Sequence, residues 1–221
     1  MQATNDAQIR GLLLPFIHRE HNDSSDTLVI EEFSIYGGAN RADVAALNGI
    51  SHGYEIKSDR DTLERLPQQV SAYGAIFERA TLVSGERHLK AARKILPKWW
   101  GIVEVVSCPD GRSTLERIRE SKPNPKPHPE SIAALLWRSE ALELLTRLGL
   151  DNGVRSKSME HLTARLALEV PVDRLSIYAR EALRARGDWR SAARLRRCDD
   201  TSRQTSNQLS FRRTPYGNIC R

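Results

Sequence analysis

Two short stretches decide the fold class of this sequence: RADVAAL at residues 41–47 and YEIKSD at residues 54–59. Each combines apolar or alternating residues over a few positions, which is typical of a β-strand. The dipeptides Asn48-Gly49 and His52-Gly53 supply turn residues between them. The two strands are therefore expected to form a hairpin.

The charged residues of this hairpin are expected to converge at one end of it. Side chains alternate along a strand, so Glu55 and Lys57 share one face while Tyr54 and Ile56 point to the other. Asp43, in the neighbouring strand, can reach the same end. Two carboxylates beside an ammonium predict a divalent-cation site with a built-in electrophile, as in a metal-dependent phosphodiesterase.

The spacing of Asp43, Glu55 and Lys57 resembles the PD-(D/E)XK nuclease superfamily, in which an acid in one strand is followed by Glu-X-Lys in the next. The surrounding residues, from Arg41 to Tyr73, are similar to an uncharacterised branch of that superfamily found in bacteria and phages. This likeness runs from about residue 28 to residue 106, and a fainter one continues through 135–138 and 155–157.

The resemblance implies a Mg²⁺- or Mn²⁺-dependent nuclease that hydrolyses phosphodiester bonds in DNA. Asp43 and Glu55 would hold the cation, with the carbonyl of Ile56 and the carboxylate of Glu32 as further ligands. Lys57 would orient or help deprotonate the attacking water, or contact the phosphate oxygens. The alternative for each charged residue is an ordinary exposed side chain or ion pair on a strand.

Four more residues take roles from the same resemblance. Gln69 is expected to be catalytic, in contact with the metal-bound water or the phosphate. It is preferred over Gln68 because Tyr73 follows it by four residues, matching the family's Gln–Tyr pairing. Arg41, Arg65 and Tyr73 are the expected substrate-binding residues. For Arg41, a plain ion pair with a neighbouring carboxylate is an equally open alternative.

Four other residues near these motifs carry weaker expectations. Glu31 and Glu32 are expected on opposite faces of the first strand. Asp61 belongs to the family pattern but could equally cap a helix. His88 is expected to be solvated.

The hydrophobic pattern predicts an α/β core followed by a small all-helical module. The resemblance implies that the core is a restriction-endonuclease-like mixed sheet flanked by helices. The expected order is helix, three strands, helix, strand, helix and a final strand. Their approximate bounds are residues 5–18, 27–35, 42–47, 53–57, 61–77, 80–84, 87–95 and 101–107. Pro15 is expected to kink or end the first helix.

Four segments are predicted along the chain. Residues 1–120 form the nuclease-like domain, and residues 121–129, with four prolines in nine positions, form an extended linker. Residues 130–197 form the helical module, with helices near 131–148, 158–168, 172–185 and 189–197. Residues 198–221 are polar and aperiodic and are expected to be a disordered basic tail.

Composition and charge narrow the partners. The 221 residues carry a net charge of +6, but residues 1–106 hold 12 Lys/Arg against 14 Asp/Glu, so the positive excess lies in the rest. A basic half suits a nucleic acid, here expected to be DNA. No stretch is apolar enough to cross a membrane, and three scattered cysteines favour a reducing cytoplasm. The alternative function is a nuclease-fold protein that binds nucleic acid, or a companion protein through the helical module, without cutting.

Overall fold

The computed structural model describes residues 4–21, 26–35, 40–109 and 111–187. In these ranges six strands form one sheet: β1 Leu28–Ile35, β2 Asn40–Asn48, β3 Ile50–Lys57, β4 Arg79–Gly85, β5 Gly101–Ser107 and β6 Ser113–Arg119. The described residues also form seven helices: α1 Asp6–Glu20, α2 Leu66–Ile76, α3 Glu86–Ile95, α4 Pro129–Ala133, α5 Arg138–Arg147, α6 Met159–Glu169 and α7 Val172–Ala185.

The strands lie in the sheet in chain order. β1, β2 and β3 pair antiparallel, β3, β4 and β5 pair parallel, and β6 pairs antiparallel with β5. The chain is therefore an α/β protein with a mixed sheet flanked by helices and followed by further helices, as the sequence predicted. The prediction that β5 is the final strand is wrong. β6 is a mostly exposed edge strand rich in Arg and Glu, so it lacks the apolar signal of a buried strand.

The two faces of the sheet carry different partners. Tyr54 and Ile56 of β3 pack with Ile9, Leu13 and Ile17 of α1, in a cluster that also includes residues of β2, β4 and β5. Residues that alternate with them point to the other face, where α2 and α3 lie in contact with each other. The predicted alternation of the YEIK stretch is confirmed.

Local features of α1 and β3 correct two predictions. Asn5 caps α1 in a reciprocal pair with Gln8, and the helix continues through Pro15 to Glu20. Pro15 lies on the exposed side, where water can solvate the carbonyl that it leaves unpaired. His52 and Gly53 are not turn residues but lie inside β3, since Gly49, at φ +68°, forms the hairpin turn by itself.

The segment between β3 and α2 is also different from the prediction. α2 begins at Leu66 rather than near Asp61, with Pro67 in its first turn. The Asp61 carboxylate instead accepts hydrogen bonds from the backbone N–H and the hydroxyl of Ser58, at 2.8 and 2.6 Å. Asp61 therefore closes a turn directly after Lys57 and does not cap the helix.

The proline-rich segment 121–129 is extended and lies against the core. The backbone N–H groups of Lys122, Asn124 and His128 donate to the carbonyls of Trp99, Glu78 and Ala75. The Asn124 side-chain amide also donates to the carbonyls of Gly74 and Phe77 at the end of α2. The segment thus leads the chain along α2 to the C-terminal helices.

The C-terminal helices share a core of their own, but one predicted helix is divided. The helix expected at 131–148 separates into α4 and α5 because Trp137 is extended and its N–H donates to the Glu140 carboxylate at 2.6 Å. Gly149, at φ +71°, follows the end of α5. The buried leucines of this core include Leu136, Leu145, Leu162, Leu166 and Leu175, and Leu183 of α7 is buried as well.

The chain divides after Ala185 into two units, Met1–Ala185 and Arg186–Arg221. Only residues 186 and 187 of the second unit are described, so the helix predicted at 189–197 and the tail predicted from residue 198 lie outside the described residues. Within the described ranges, no helix has the length and apolarity to span a bilayer.

Candidate functional site

Asp43 stands where β2 and β3 separate. The paired positions run from Asn48–Ile50 to Val44–Tyr54. One residue further, Oδ2 of Asp43 accepts the Ile56 backbone N–H at 2.7 Å. The carboxylate is thereby fixed across the two strands while the side chain remains half-buried.

Glu55 and Lys57 share the opposite face of β3 from Tyr54 and Ile56, as predicted. Nζ of Lys57 lies 2.5 Å from Oε1 of Glu55. Relative exposure is 0% for Glu55 and 4% for Lys57, so this ion pair is shielded from water. Burial of two charged groups is tolerated because they neutralise each other and bond further polar partners.

α2 supplies two of these partners from one side of the helix, one turn apart. Nε2 of Gln69 donates to Oε1 of Glu55 at 2.5 Å, and the Tyr73 hydroxyl donates to Oε2 of Glu55 at 2.8 Å. The Tyr73 hydroxyl also accepts the backbone N–H of Asp43 at 3.2 Å. Gln68 is exposed. The choice of Gln69 over Gln68 therefore agrees with the geometry of the cluster.

Tyr73 is held in place by aromatic neighbours and by a glycine. Its ring centroid lies 5.2 Å from that of Phe77 and 5.3 Å from that of Trp100. A Cβ on Gly53 would approach Phe77 to 2.6 Å and Tyr73 to 2.8 Å. Gly53 is therefore required for the close approach of α2 to β3, rather than for a turn.

The Asp43–Glu55–Lys57 cluster carries more negative than positive charge. Burial, and then the nearby Asp43 carboxylate, raise the pKa of Glu55 to about 7. Burial also raises the pKa of Asp43, although the Ile56 N–H and Lys57 oppose the shift. Burial and the two carboxylates raise the pKa of Tyr73 well above its ordinary value. Two carboxylates facing one ammonium leave a formal charge of −1, which a cation would offset.

The donor atoms fit a hard divalent cation. Oε1 of Gln69 is buried without a hydrogen-bond partner, and Nε2 of the same amide donates to the Glu55 carboxylate. Carboxylate and amide oxygens are the ligand types that Mg²⁺ and Mn²⁺ prefer. Across the described ranges, no group of three or more His, Cys, Asp and Glu side chains is arranged for a metal ion. A cation here would rest on Asp43 and Glu55, with Gln69 or the carbonyl of Ile56 as further donors.

The turn after Lys57 is held by contacts that the sequence did not predict. His88, expected to be solvated, is buried, and its Nε2 lies 2.9 Å from the carbonyl oxygen of Ser58. Asp59 Oδ2 accepts the N–H and the hydroxyl of Thr4 at 2.8 and 2.9 Å. These contacts fix the backbone that carries Lys57. No local signal could reveal them, because they join distant parts of the chain.

A second network lies beside Asp43 and centres on Arg10. Its guanidinium donates to the Asp43 carbonyl at 2.8 Å and pairs with Glu32 at 3.0 Å and Glu31 at 3.5 Å. The prediction that Glu31 and Glu32 take opposite faces is wrong. Glu32 has φ +56°, which turns both side chains outward and toward Arg10.

The structure separates the remaining predicted site residues from the cluster. Nε of Arg41 lies 2.5 Å from Oε2 of Glu32, so the plain ion pair is the contact observed for Arg41. The Glu32 carboxylate is therefore shared by two arginines, and one of them, Arg10, also contacts the backbone carbonyl of Asp43. Arg65 is exposed just before α2 and, within the described residues, makes no ion pair with the cluster.

Comparisons with known proteins give one structural likeness and one sequence relative. A protein of unknown function from Silicibacter pomeroyi is 19% identical and covers 64% of this chain and 89% of that chain, with a TM-score of 0.37. Protein cII of Enterobacteria phage P4 is 28% identical over 146 residues, which are 65% of this chain and 55% of that relative. The chain thus spans about half the length of the curated relative it matches.

The family assignment follows from a match that extends over nearly the whole sequence. Residues 1–213 match the family described as bacteriophage P4 protein cII. This range includes every residue of the Asp43–Glu55–Lys57–Gln69 cluster. The chain belongs to the bacteriophage P4 protein cII family.

Proposed function

We propose that this chain is a divalent-metal-dependent nuclease that hydrolyses phosphodiester bonds in DNA, and that it is a PD-(D/E)XK enzyme. The observation that carries the proposal is the convergence of Asp43, Glu55, Lys57 and Gln69 at the ends of β2 and β3. Two of these residues are carboxylates, one is a buried ammonium, and one is an amide with a free oxygen. Mg²⁺ or Mn²⁺ is the proposed cofactor.

Each residue has a distinct part in the proposed reaction. Asp43 and Glu55 hold the cation, which when bound stabilises the charge that develops on the scissile phosphate. Lys57 presents a compact charge that orients water and contacts a phosphate oxygen. Gln69 positions the carboxylate of Glu55 and offers its amide oxygen to the water. Tyr73 fixes the carboxylate of Glu55 to the backbone of Asp43.

A second candidate function is binding without cleavage, and one observation favours it. Both oxygens of Glu55 already accept hydrogen bonds, from Lys57, Gln69 and Tyr73. A site satisfied in this way can be stable with no cation. Under this alternative the chain would bind nucleic acid, or a companion protein through the C-terminal helices. Leu168 and Ile177, exposed by 80% and 40%, are apolar residues available on those helices.

The deciding experiment is a cleavage assay with the purified chain. Plasmid, linear duplex, single-stranded DNA and RNA are incubated with Mg²⁺, with Mn²⁺ or with EDTA, for the parent and for Asp43→Asn. Metal-dependent products from a DNA substrate that Asp43→Asn fails to give would support the nuclease. Nucleic-acid binding without products under any of these conditions would favour the second candidate. A cytoplasmic location is proposed together with the nuclease.

A further inference from the structure

α3 carries an unbalanced positive charge. Its ten residues include four Lys/Arg and one acid, a formal charge of +3, whereas the other described helices lie between −1 and +1. Five of the twelve Lys/Arg of residues 1–106 fall between positions 87 and 98: Arg87, Lys90, Arg93, Lys94 and Lys98. The part of the chain that is acidic by count therefore holds one concentrated basic surface.

The basic residues of α3 all lie on its outer side. His88, Leu89 and Ala92 are buried, while the four Lys/Arg of the helix are exposed. At 3.6 residues per turn, Arg87, Lys90 and Lys94 fall within about 60° around the axis and extend over about 10 Å. The row is thus long enough to lie along about three successive phosphates of one strand of a duplex, which follow one another every ~3.4 Å along the helix axis.

A groove of about 1030 Å³ runs beside this row, and Arg87, Lys90 and Arg93 line it. Its acids are Asp59, Glu86 and Glu104, and Asp59 is already bonded by Thr4. The pKa of Arg119 is lowered, first by burial and then by the positive charge of the nearby Arg93. The lining itself holds three basic and three acidic side chains, so the positive excess belongs to the outer face of α3 rather than to the groove.

The beginning of α3 is attached to the turn that follows Lys57. Arg87 Nη1 donates to the carbonyl of Asp59 at 2.5 Å, and His88 Nε2 lies 2.9 Å from the carbonyl oxygen of Ser58. Both carbonyls belong to the two residues directly after Lys57. The basic row therefore begins next to the end of β3 that carries the candidate site, and runs away from it.

We propose that the exposed basic face of α3, made by Arg87, Lys90, Arg93 and Lys94, binds the phosphodiester backbone of nucleic acid. Its role in guiding substrate to Glu55 and Lys57 rests on the proposed nuclease function, whereas the binding itself does not. A lipid surface is a poorer fit, because a membrane-binding helix needs an exposed apolar face and that of α3 is buried against the sheet.

The test compares two triple variants of the full chain that remove equal charge. One is Lys90→Gln/Arg93→Gln/Lys94→Gln. The control is Lys157→Gln/Arg165→Gln/Arg174→Gln, whose positions lie just before α6, on α6 and on α7. Binding of a labelled DNA duplex and of an RNA of the same sequence is measured by fluorescence anisotropy in EDTA, from about 50 to about 200 mM salt. Thermal melting of each variant shows that it is folded.

We expect the α3 variant to bind at least about tenfold more weakly at low salt. The slope of log affinity against log salt should become shallower by about 2.7, for three lost phosphate contacts. The control should change affinity by less than about twofold. Binding of DNA alone, or of both nucleic acids, through α3 supports the proposal. The proposal is overturned if the α3 variant binds as tightly as its parent, or if the control loses as much affinity. Labelled polyglutamate is a third probe, and tighter binding of it than of either nucleic acid also overturns the proposal.

The two proposals fail in different ways. A chain that binds through α3 and never cleaves would contradict the nuclease and leave the binding surface intact. A chain whose α3 variant cleaves and binds as well as the parent would contradict the binding surface alone.

Discussion

Nζ of Lys57 lies 2.5 Å from Oε1 of Glu55, and the side chains of both residues are buried. The ammonium therefore neutralises one carboxylate, and the half-buried Asp43 leaves the cluster with an excess negative charge. This imbalance is what distinguishes the cluster from a structural ion pair, in which the charges cancel. It also determines how each variant of the site should respond to a divalent cation.

Removing either carboxylate should remove cation binding and cleavage together. In Asp43→Asn and Glu55→Gln the shape is kept but a charged oxygen ligand is lost, so we expect cleavage to fall by more than about 100-fold. Isothermal titration with Mn²⁺ measures the binding directly. Glu31→Gln, an exposed neighbour, is the matched control and should behave like the parent. Cleavage by Asp43→Asn at the parental rate would show that the site is assigned wrongly.

Lys57 should be required for cleavage but not for cation binding. Lys57→Ala removes a positive charge beside the carboxylates, so Mn²⁺ should bind at least as tightly while cleavage falls by about 100-fold or more. Lys57→Arg should not restore the rate, since a planar guanidinium does not replace a compact ammonium in a buried space. Loss of Mn²⁺ binding in Lys57→Ala, measured by titration, would instead indicate a structural role.

Cation binding should weaken as the pH falls. The pKa of Glu55 is about 7, so below that pH the carboxyl carries a proton that the cation must displace. Without a cation, the raised pKa means that the folded chain holds this proton more tightly than the unfolded chain. The free energy of unfolding contributed by Glu55 therefore decreases as the pH rises from 4.5, its ordinary pKa, to about 7.

Thermal melting with and without Mn²⁺ tests whether cation binding weakens as the pH falls. The increase in Tm on adding Mn²⁺ should be larger at about pH 8 than at about pH 6. Asp43→Asn should show no increase at either pH. A shift in Tm that is equal at both pH values would contradict the assignment of Glu55 as a cation ligand.

The parts of the fold that the sequence predicts are those with local signals. The order of helices and strands up to β5, and the shared face of Glu55 and Lys57, follow from periodicity and turn residues. Asp43 could be placed near them because a hairpin turn at Gly49 determines which residues lie opposite one another. Each of these relationships depends on residues close together in the chain.

The parts that could not be predicted depend on distant neighbours. Gly53 has the residue type of a turn, and only the rings of Tyr73 and Phe77 show that its missing Cβ makes room for α2. His88 and Arg10 reach the site from other elements, through the carbonyls of Ser58 and Asp43. Nothing in the residues around His88 or Arg10 distinguishes them from exposed side chains.

Gly53→Ala should therefore damage the site through packing alone. The new Cβ would displace Tyr73, whose hydroxyl bonds Glu55, so we expect a loss of about 1–3 kcal/mol in the free energy of unfolding and weaker Mn²⁺ binding. Gly11→Ala is the matched control, since nothing lies within 4 Å of its new Cβ in α1. It should stabilise the chain by up to about 1 kcal/mol. Equal denaturation curves for the two variants would contradict the packing argument.

The C-terminal helices are expected to stabilise the sheet rather than to serve only as a part of the chain that binds nucleic acid and can be removed. Arg180 of α7 pairs with Glu78, whose carboxylate also accepts the N–H and hydroxyl of Ser51 at the start of β3. A small apolar cavity between Phe33, Phe77, Ile132 and Leu183 lies beside this pair. Deleting residues 130–221 would expose that surface, so the remainder should be insoluble or unfolded rather than merely weaker in DNA binding.

A point variant tests this without removing the helices. The Arg180–Glu78 pair is largely buried, with side chains 13% and 28% exposed, so Arg180→Ala leaves a carboxylate short of a partner. We expect a loss of about 1–3 kcal/mol in the free energy of unfolding. Arg184→Ala, one turn further along α7, breaks an exposed pair with Asp26 at 3.6 Å and should cost less than about 1 kcal/mol. Denaturant titration of both variants measures the difference. Equal costs would mean that α7 is not held to β3 through Glu78.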